Sequence, residues 1–242
     1  MDQATETHRA IEAVWRIEQA RLVAGLTRMV RDISTAEELA QDALLIALDA
    51  WPKSGVPRNP GAWLMAAAKR KAIDGFRRRK MAQRKLHEVG RDLAEAELTM
   101  PDYEAALDDD VGDDLLRLIF TSCHPILSTE ARVALTLRLL GGLSTDEIAR
   151  AFLLPEATIA QRIVRAKRTI ADARLPFEVP RGEERAQRLG SVLEVIYLIF
   201  NEGYSATAGS EWLRTELCDE ALRLGRIVAN LAKQESEVHG LV

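Results

Sequence analysis

Apolar residues recur at helical spacing along most of the chain, and alternating strand patterns are almost absent. The segment after Pro155 gives the clearest case. Its apolar side chains follow one another at intervals of four, three and four residues and form one buried stripe. The members of this stripe are Ile159, Ile163, Ala166 and Ile170. The pattern predicts an all-α protein.

A short helix is predicted just before this segment. Ser144 and Glu147 have the spacing of a capping box, in which hydroxyl and carboxylate each bond a backbone N–H left free at a helix start. Apolar residues form its inner side: Ile148, Ala149 and Phe152. We expect Pro155 at the first position of the second helix, where a proline loses no hydrogen bond. The pair is typical of a helix-turn-helix.

The second helix carries polar and cationic residues opposite its apolar stripe. They are Gln161, Arg165 and Arg168, flanked by Thr158 and Arg162. Arginine and glutamine in such a stripe suit base edges and phosphates in a DNA major groove. The alternative is an ordinary surface helix whose basic face is only solvated.

Ser34 and Glu37 repeat the capping-box spacing and predict a helix that Pro52 ends. Its predicted buried residues are Leu39, Ala40, Ala43, Leu44, Ala47 and Trp51. A different face combines one leucine with polar and acidic residues: Glu38, Gln41, Asp42, Leu45 and Asp49. This face is suited to docking a helix of another protein, although Leu45 can also be read as a stray surface leucine.

A proline- and glycine-rich loop is predicted after this helix, followed by a helix that Asn59 caps and Pro60 begins. The inward side chains are Leu64, Met65, Ala68, Ala72 and Phe76; the other side carries Trp63, Lys69, Arg70, Asp74, Arg77 and Arg78. Such a basic face can follow phosphates, and Trp63 can either stack on an unpaired base or belong to the core.

The formal net charge of −4 hides a strong segregation of charge. A basic block contains Lys69, Arg70, Lys71, Arg77, Arg78, Arg79, Lys80, Arg84 and Lys85, and an acidic block contains Asp102, Glu104, Asp108, Asp109, Asp110, Asp113 and Asp114. This asymmetry favours a polyanionic partner for the first block.

Catalytic chemistry has weak support. Cys123 and Cys218 are too few and too distant for a disulfide framework or a zinc site. Cys123 and His124 resemble a nucleophile and its base, but Pro125 follows and no orienting carboxylate motif accompanies them, so a partly buried thiol at a helix end is expected. No apolar run reaches membrane-span length, and the start of the chain lacks a signal-peptide core.

Residues 186–232 predict at least two more amphipathic helices. Their apolar faces are Leu189, Val192, Leu193, Ile196 and Phe200 on one, and Leu217, Ala221, Leu224 and Val228 on the other. The final VHGLV suits the opening of another helix, so we expect the sequence to be part of a longer protein.

The succession AEELAQDALLIALDAW, NPGAWLMAAAKRKAIDGFRRRK, an acidic linker and LTLRLLGGLSTDEIARAFLLPEATIAQRIVRAKRTI resembles bacterial RNA polymerase sigma factors of the extracytoplasmic-function group. The resemblance covers about residues 8–175. It implies a sigma region 2 domain at 8–85, an acidic linker at 86–111 and a helix-turn-helix region 4 domain at 112–175. Residues 176–242 resemble the start of a C-terminal, tetratricopeptide-like helical extension, which we expect to be incomplete here.

The resemblance also implies partners and roles. Region 2 would bind core polymerase and melt the downstream (−10) promoter element, and region 4 would read the upstream (−35) element. The polymerase contacts would be Glu38, Gln41, Asp42 and Leu45. The upstream contacts would be Glu156, Thr158, Gln161, Arg162 and Arg165, to which the basic stripe adds Arg168. The downstream contacts would be Lys53, Arg58, Asn59, Lys69, Arg70, Arg77 and Arg78, with the loop 53–59 capturing a flipped base, and the pattern of the basic helix adds Trp63.

Several expectations complete this interpretation. The linker would either thread through polymerase as a nucleic-acid mimic or act as a solvated tether. The extension would regulate or support the promoter-reading domain, or mediate dimerisation. We expect a cytoplasmic protein with no catalytic residue, no metal, no cofactor and no membrane partner, and the sequence leaves open whether an anti-sigma or other regulatory partner exists. The alternative function is a stand-alone dimeric helix-turn-helix regulator. A hydrolase or nuclease is not expected, because the sequence contains neither clustered metal ligands nor the spacing of a nucleophile and its base.

Overall fold

The computed structural model describes residues 3–89, 111–204 and 215–231, together with positions 238 and 240. Over these residues the secondary structure is helical and contains no strand, which confirms the predicted all-α fold. The chain divides into two compact units, which comprise residues 1–18 with 25–109 and residues 19–24 with 110–242.

The first unit contains helices α2 (Ile33–Ser54) and α3 (Pro60–Val89) and both ends of helix α1 (Gln3–Val30), whose residues 19–24 are assigned to the second unit. Helix α2 packs against α3. The buried face of α2 is made mostly of alanine, which permits a close approach of the two helices; its apolar members are Ile33, Ala36, Ala40, Ala43, Ala47 and Trp51. Leu64, Ala68 and Ala72 are buried on α3, as the sequence predicts, whereas Met65 and Phe76 are half-buried.

Both predicted ends of α2 are wrong by a few residues. Asp32 rather than Ser34 caps the helix: its backbone is extended and its Oδ1 accepts a hydrogen bond from the Thr35 N–H at 2.6 Å. The earlier start allows Ile33 to be buried. Pro52 lies inside the helix, which ends only at Gly55, where a φ of +82° suits glycine. A proline in the last turn removes one hydrogen bond without ending the helix.

The second unit contains helices α4 (Val111–Ser122), α5 (Thr129–Leu139), α6 (Thr145–Ala151), α7 (Glu156–Asp172), α8 (Gly182–Tyr204) and α9 (Thr215–Leu231). Helix α7 packs on α5 and α6, and α8 packs on α4, α5 and α9. Leucines of α4 and α5 form much of the core, among them Leu118, Leu135, Leu137 and Leu139.

The capping box at α6 is confirmed. The Ser144 Oγ accepts a hydrogen bond from the Glu147 N–H at 3.1 Å, and Glu147 Oε2 accepts one from the Ser144 N–H at 2.7 Å. Pro155 is the residue before the first helical position of α7, one place earlier than predicted. The four apolar residues of the predicted α7 stripe are all buried.

The turn between α6 and α7 contains a strained residue. Leu153 has a φ of +51° and its side chain is 68% exposed. A left-handed conformation costs a non-glycine residue about 1–2 kcal/mol, which a glycine at that position avoids. The greater chain entropy that glycine loses on folding offsets about 0.5–1 kcal/mol of this gain. We therefore expect Leu153→Gly to raise the free energy of unfolding by about 0.5–1 kcal/mol, measured by urea denaturation.

The half-buried Leu154 provides the matched control, since no positive φ is found at that residue. Leu154→Gly is expected to lower the unfolding free energy. If Leu153→Gly destabilises the protein as much as Leu154→Gly does, the left-handed turn is absent in solution.

The amphipathic helices predicted after residue 186 are present as α8 and α9. The apolar face of α9 is as predicted, because Leu217, Ala221, Leu224 and Val228 are all buried. On α8 the prediction of Phe200 as an inward residue is wrong: Phe200 is 37% exposed and stacks on Tyr204, while Val195 and Ile199 are buried in its place. Helix α8 packs on two sides, so one periodic stripe could not describe it.

Candidate nucleic-acid interface

Helix α7 turns its polar stripe to solvent. Gln161, Arg165 and Arg168 are exposed and lie opposite the buried stripe of the same helix. Arg168 Nε lies 3.4 Å from Asp172 Oδ2, in a pair whose side chains are 80% and 71% exposed. An ion pair this exposed contributes little to stability, so Arg168 can exchange it for a phosphate. This outer face can enter a major groove in the manner of a recognition helix.

The flanking residues have different surroundings. Glu156 is exposed in the first turn of α7, and Thr158 is half-buried. Arg162 is half-buried and lines a cavity of about 240 Å³ together with residues of α5 and α8. Its charge also reaches Glu130 on α5. The pKa of that carboxyl is lowered first by a backbone hydrogen bond, then by the Ser128 hydroxyl and, to a smaller extent, by Arg162.

The basic face of α3 has a similar mixture. Arg70, Arg77 and Arg78 are exposed, whereas Lys69 is half-buried. Burial lowers the pKa of Lys69, and the like charge of Arg28 lowers it further. The exposed arginines are therefore the stronger candidates for phosphate contacts on this helix.

The loop before α3 is shorter than predicted. Lys53 belongs to the last turn of α2, where its Nζ lies 2.6 Å from Asp49 Oδ1, so the loop itself is residues 55–59. Arg58 is exposed. Asn59 caps α3 as predicted: its Oδ1 accepts a hydrogen bond from the Ala62 N–H at 3.1 Å. A base held here would meet the amide NH₂ of Asn59 more readily than the occupied oxygen.

The surroundings of Trp63 fit both roles that the sequence leaves open, a place in the core and a stacking surface for a base. Its ring meets the ring of Trp51 edge to face, with centroids 5.3 Å apart and an interplanar angle of 66°. Trp51 is 1% exposed, whereas Trp63 is half-buried. Trp51 therefore fixes the orientation of a second indole ring that keeps some surface in contact with solvent.

The mixed face of α2, named here the acidic face, consists of Glu38, Gln41, Asp42, Leu45 and Asp49. Leu45 is 64% exposed at its centre. Asp42 Oδ2 lies 3.5 Å from Nζ of Lys71, a residue that is not among the site residues predicted from the sequence. An apolar side chain surrounded by carboxylates is the kind of surface that a partner with apolar and basic groups covers.

Cys123 and His124 do not form a nucleophile and base. Cys123 is 1% exposed, and burial raises the pKa of its thiol to about 11. Its Sγ lies 3.4 Å from Thr136 Oγ1, while His124 Nδ1 accepts a hydrogen bond from the Ile126 N–H at 3.1 Å. Within residues 3–89, 111–204 and 215–231, no cluster of three or more His, Cys, Asp or Glu side chains is arranged to hold a metal ion.

No helix in the described part of the chain is both long and apolar enough to cross a membrane. The acidic run Asp102–Asp110 of the predicted linker lies outside the described residues, as do Arg79, Lys80, Arg84 and Lys85 with respect to their side chains.

Three family models match separate parts of the chain. Residues 15–81 match sigma-70 region 2, and residues 117–170 match sigma-70 region 4. Residues 188–242 match a family of unknown function, DUF6596. The two sigma-70 matches include the acidic face of α2, the basic face of α3 and nearly all of α7. The third match covers most of α8 and all of α9.

Two curated relatives extend this similarity. An uncharacterized protein of Rhizobium meliloti (strain 1021) is 42% identical over 222 residues, which are 90% of this chain and 51% of that protein. A Mycobacterium tuberculosis protein named "Probable ECF RNA polymerase sigma factor SigI" is 27% identical over 178 residues, 74% of this chain and 60% of that protein. The chain thus spans about half the length of the first relative. No solved structure matches the chain.

Proposed function

We propose that this chain, which belongs to the extracytoplasmic-function group of the sigma-70 family, binds core RNA polymerase and directs it to promoters through two separate DNA contacts. The observation that carries the proposal is the outer face of α7, where Gln161, Arg165 and Arg168 are exposed on the second helix of a capped helix-turn-helix.

Helix α7 reads the upstream promoter element. The exposed Gln161 and Arg165 have side chains that can form two hydrogen bonds to adenine and to guanine, respectively. Arg168 lies one turn further from the helix start, where a recognition helix leaves the groove, and contacts a phosphate. Glu156 and Thr158 at the start of the helix add polar contacts. Arg162 is half-buried, and it contributes to promoter binding mainly from its position beside α5 and α8.

Helix α2 docks on polymerase through its acidic face. Leu45, at 64% exposure, supplies the apolar anchor, and the carboxylates of Glu38 and Asp42 select a basic partner surface. Gln41 adds a hydrogen-bonding amide beside them.

The loop 55–59 and helix α3 hold the melted downstream element. Arg58 and Asn59 bond the edge of a base that has left the stack, and the ring of Trp63, oriented by Trp51, offers a stacking surface. Arg70, Arg77 and Arg78 follow the phosphates along α3, with Lys69 and Lys53 as weaker contributors because each is partly engaged within the unit.

A single substitution tests the reading role of α7. Arg165→Ala is expected to lower promoter affinity by about 1–3 kcal/mol and to relax the preference at one base pair, since the lost contact is a specific one. Polymerase binding is expected to be unchanged. The measurement is equilibrium binding of the polymerase complex to duplexes that carry all four base pairs at each position of the upstream element.

Arg150→Ala is a matched control, because Arg150 is an exposed arginine on α6 that pairs with Asp146 at 2.8 Å. It is expected to leave base preference unchanged. An Arg165→Ala protein that loses affinity equally on every sequence would identify Arg165 as a phosphate contact instead.

The function as a whole is tested by run-off transcription with purified core polymerase on a promoter library. We expect transcripts that begin at a defined distance from one shared sequence and that require this chain. Sequence-specific binding of a dimer in the absence of polymerase, without transcripts in its presence, would favour the stand-alone regulator.

A further inference from the structure

Helix α7 carries an apolar strip beside its cationic stripe, which the proposed function does not use. Val164 is 64% exposed, so this apolar side chain contributes little to the core. Ala157 and Ala171, seven residues before and after it, are exposed as well. Residues seven apart lie almost on one line along a helix, so the three side chains form a narrow row of methyl groups.

Val164 lies on the same exposed side of α7 as the predicted reading residues. Successive helical residues are about 100° apart, which places Val164 about 60° from Gln161 and about 40° from Arg168, on the side away from Arg165. All four are exposed, and the buried stripe is opposite. When Gln161 and Arg165 meet base edges, Val164 meets the adjacent part of the groove.

The chemistry of the major groove names one apolar target. Each base pair presents hydrogen-bonding groups there, and the C5-methyl group of thymine is the apolar feature that a protein can contact. A valine has no hydrogen-bonding atom beyond its backbone. A phosphate or a polar base edge would lose water to Val164 and receive no hydrogen bond in return, which is unfavourable.

We infer that Val164 is a specificity residue that recognises a thymine through its C5-methyl group in the upstream promoter element. The inference rests on the proposed function. Gln161 lies about one turn nearer the start of α7 than Val164, so the thymine is adjacent to the base pair that Gln161 reads.

Deoxyuridine tests this contact because it lacks only the C5-methyl group and pairs as thymidine does. The promoter is first selected from a random duplex library by the complex of the full chain with core polymerase. Each thymine of the upstream element is then replaced singly by deoxyuridine, and equilibrium affinities are measured for the wild-type and Val164→Ala proteins. At one thymine we expect a loss of about fourfold for the wild type, the effect of one buried methyl group.

Val164→Ala is expected to weaken binding to the thymine duplex by a similar factor and to bind thymine and deoxyuridine equally at that position. Alanine is a better helix former than valine, so α7 stays folded, and circular dichroism checks this. Arg165→Ala provides the control: it weakens binding to both duplexes and keeps the wild-type ratio between them.

The possible results separate the inference from the proposed function. A polymerase complex that selects no sequence contradicts the proposed function. Selective binding to an upstream element in which every deoxyuridine is tolerated, or in which Val164→Ala keeps the wild-type ratio, overturns the inference and leaves the proposed function in place.

Discussion

Leu45→Arg is expected to lower the affinity for core RNA polymerase by more than about 100-fold while the protein stays folded. Leu45 is 64% exposed on α2, so its replacement removes little buried surface. The new guanidinium would lie one turn from Asp49 and about one turn from Asp42, and such pairs support a helix. At the polymerase contact the same guanidinium takes the place of an apolar anchor and must lose its water.

Ile17→Arg is a closely matched control. Ile17 is also 64% exposed and also lies on a helix of the first unit, but it is outside the acidic face. Affinities are measured by titrating labelled protein with core polymerase, and helix content by circular dichroism. If both variants bind equally well, docking does not depend on the acidic face. A Leu45→Arg protein that unfolds would mean that Leu45 is buried in solution.

The features that the sequence predicted best are local. The capping box of Ser144 and Glu147 and the four-residue stripe of α7 involve neighbours within one helix, and the structure confirms them. The spacing of residues is sufficient there because helical geometry alone decides which side chains meet. The exposed side of α7 could be predicted too, because it is the side opposite the buried stripe.

Competing local signals explain the errors at α2. Asp32 and Ser34 are both good capping residues two positions apart, and the sequence does not say which of them has an extended backbone. The burial of Ile33 and Ala36 against the rest of the unit favours the earlier start. The roles of the acidic face, the loop 55–59 and the α7 residues in binding stay predictions, since they depend on partners.

Contacts between distant residues could not be predicted. Arg132 and Arg188 are 9% and 7% exposed, and charged residues in amphipathic helices are expected at the surface. Besides local partners, each of them bonds a residue that lies 59 or 68 residues away in sequence. Val164 was also missed, because a valine beside the polar stripe belongs neither to the buried face nor to the polar face of the helical pattern.

Helix α8 is joined to α4 and α5 by buried polar contacts. The Arg132 guanidinium donates hydrogen bonds to the Ser191 hydroxyl and, at 3.0 Å, to Glu194 Oε2. Ser191 Oγ donates to the Cys123 carbonyl at 2.8 Å, and Arg188 Nη2 donates to the Phe120 carbonyl at 2.8 Å. The carbonyls at the end of α4 thereby receive the hydrogen bonds that a helix end lacks.

One face of α8 therefore belongs to the same core as α4 and α5, and α7 packs on α5 as well. Arg188, Ser191, Leu198 and Glu202 contact α4 and α5 or line the cavity beside them, and they follow one another at spacings that place them on one side of α8. Val195 lies on this side, between Ser191 and Leu198, and is 0% exposed.

Val195→Asp is expected to lower the free energy of unfolding of the second unit by about 4 kcal/mol or more. The substitution removes a fully buried aliphatic group and places a carboxylate where no water reaches it. A loss of this size is comparable with the whole stability of many domains, about 5–15 kcal/mol. Promoter binding is expected to fall with the folded fraction, although Val195 lies outside α7.

Tyr197→Asp is the matched control, because Tyr197 is two residues away on α8 and 55% exposed. Urea denaturation followed by circular dichroism measures both variants, with the same titration repeated for promoter binding. Equal midpoints for Val195→Asp and the wild type would mean that α8 does not pack on α4 and α5 in solution. A lower midpoint for Val195→Asp alone, with binding lost at the same urea concentration as structure, would mean that the helix-turn-helix depends on α8 for its stability.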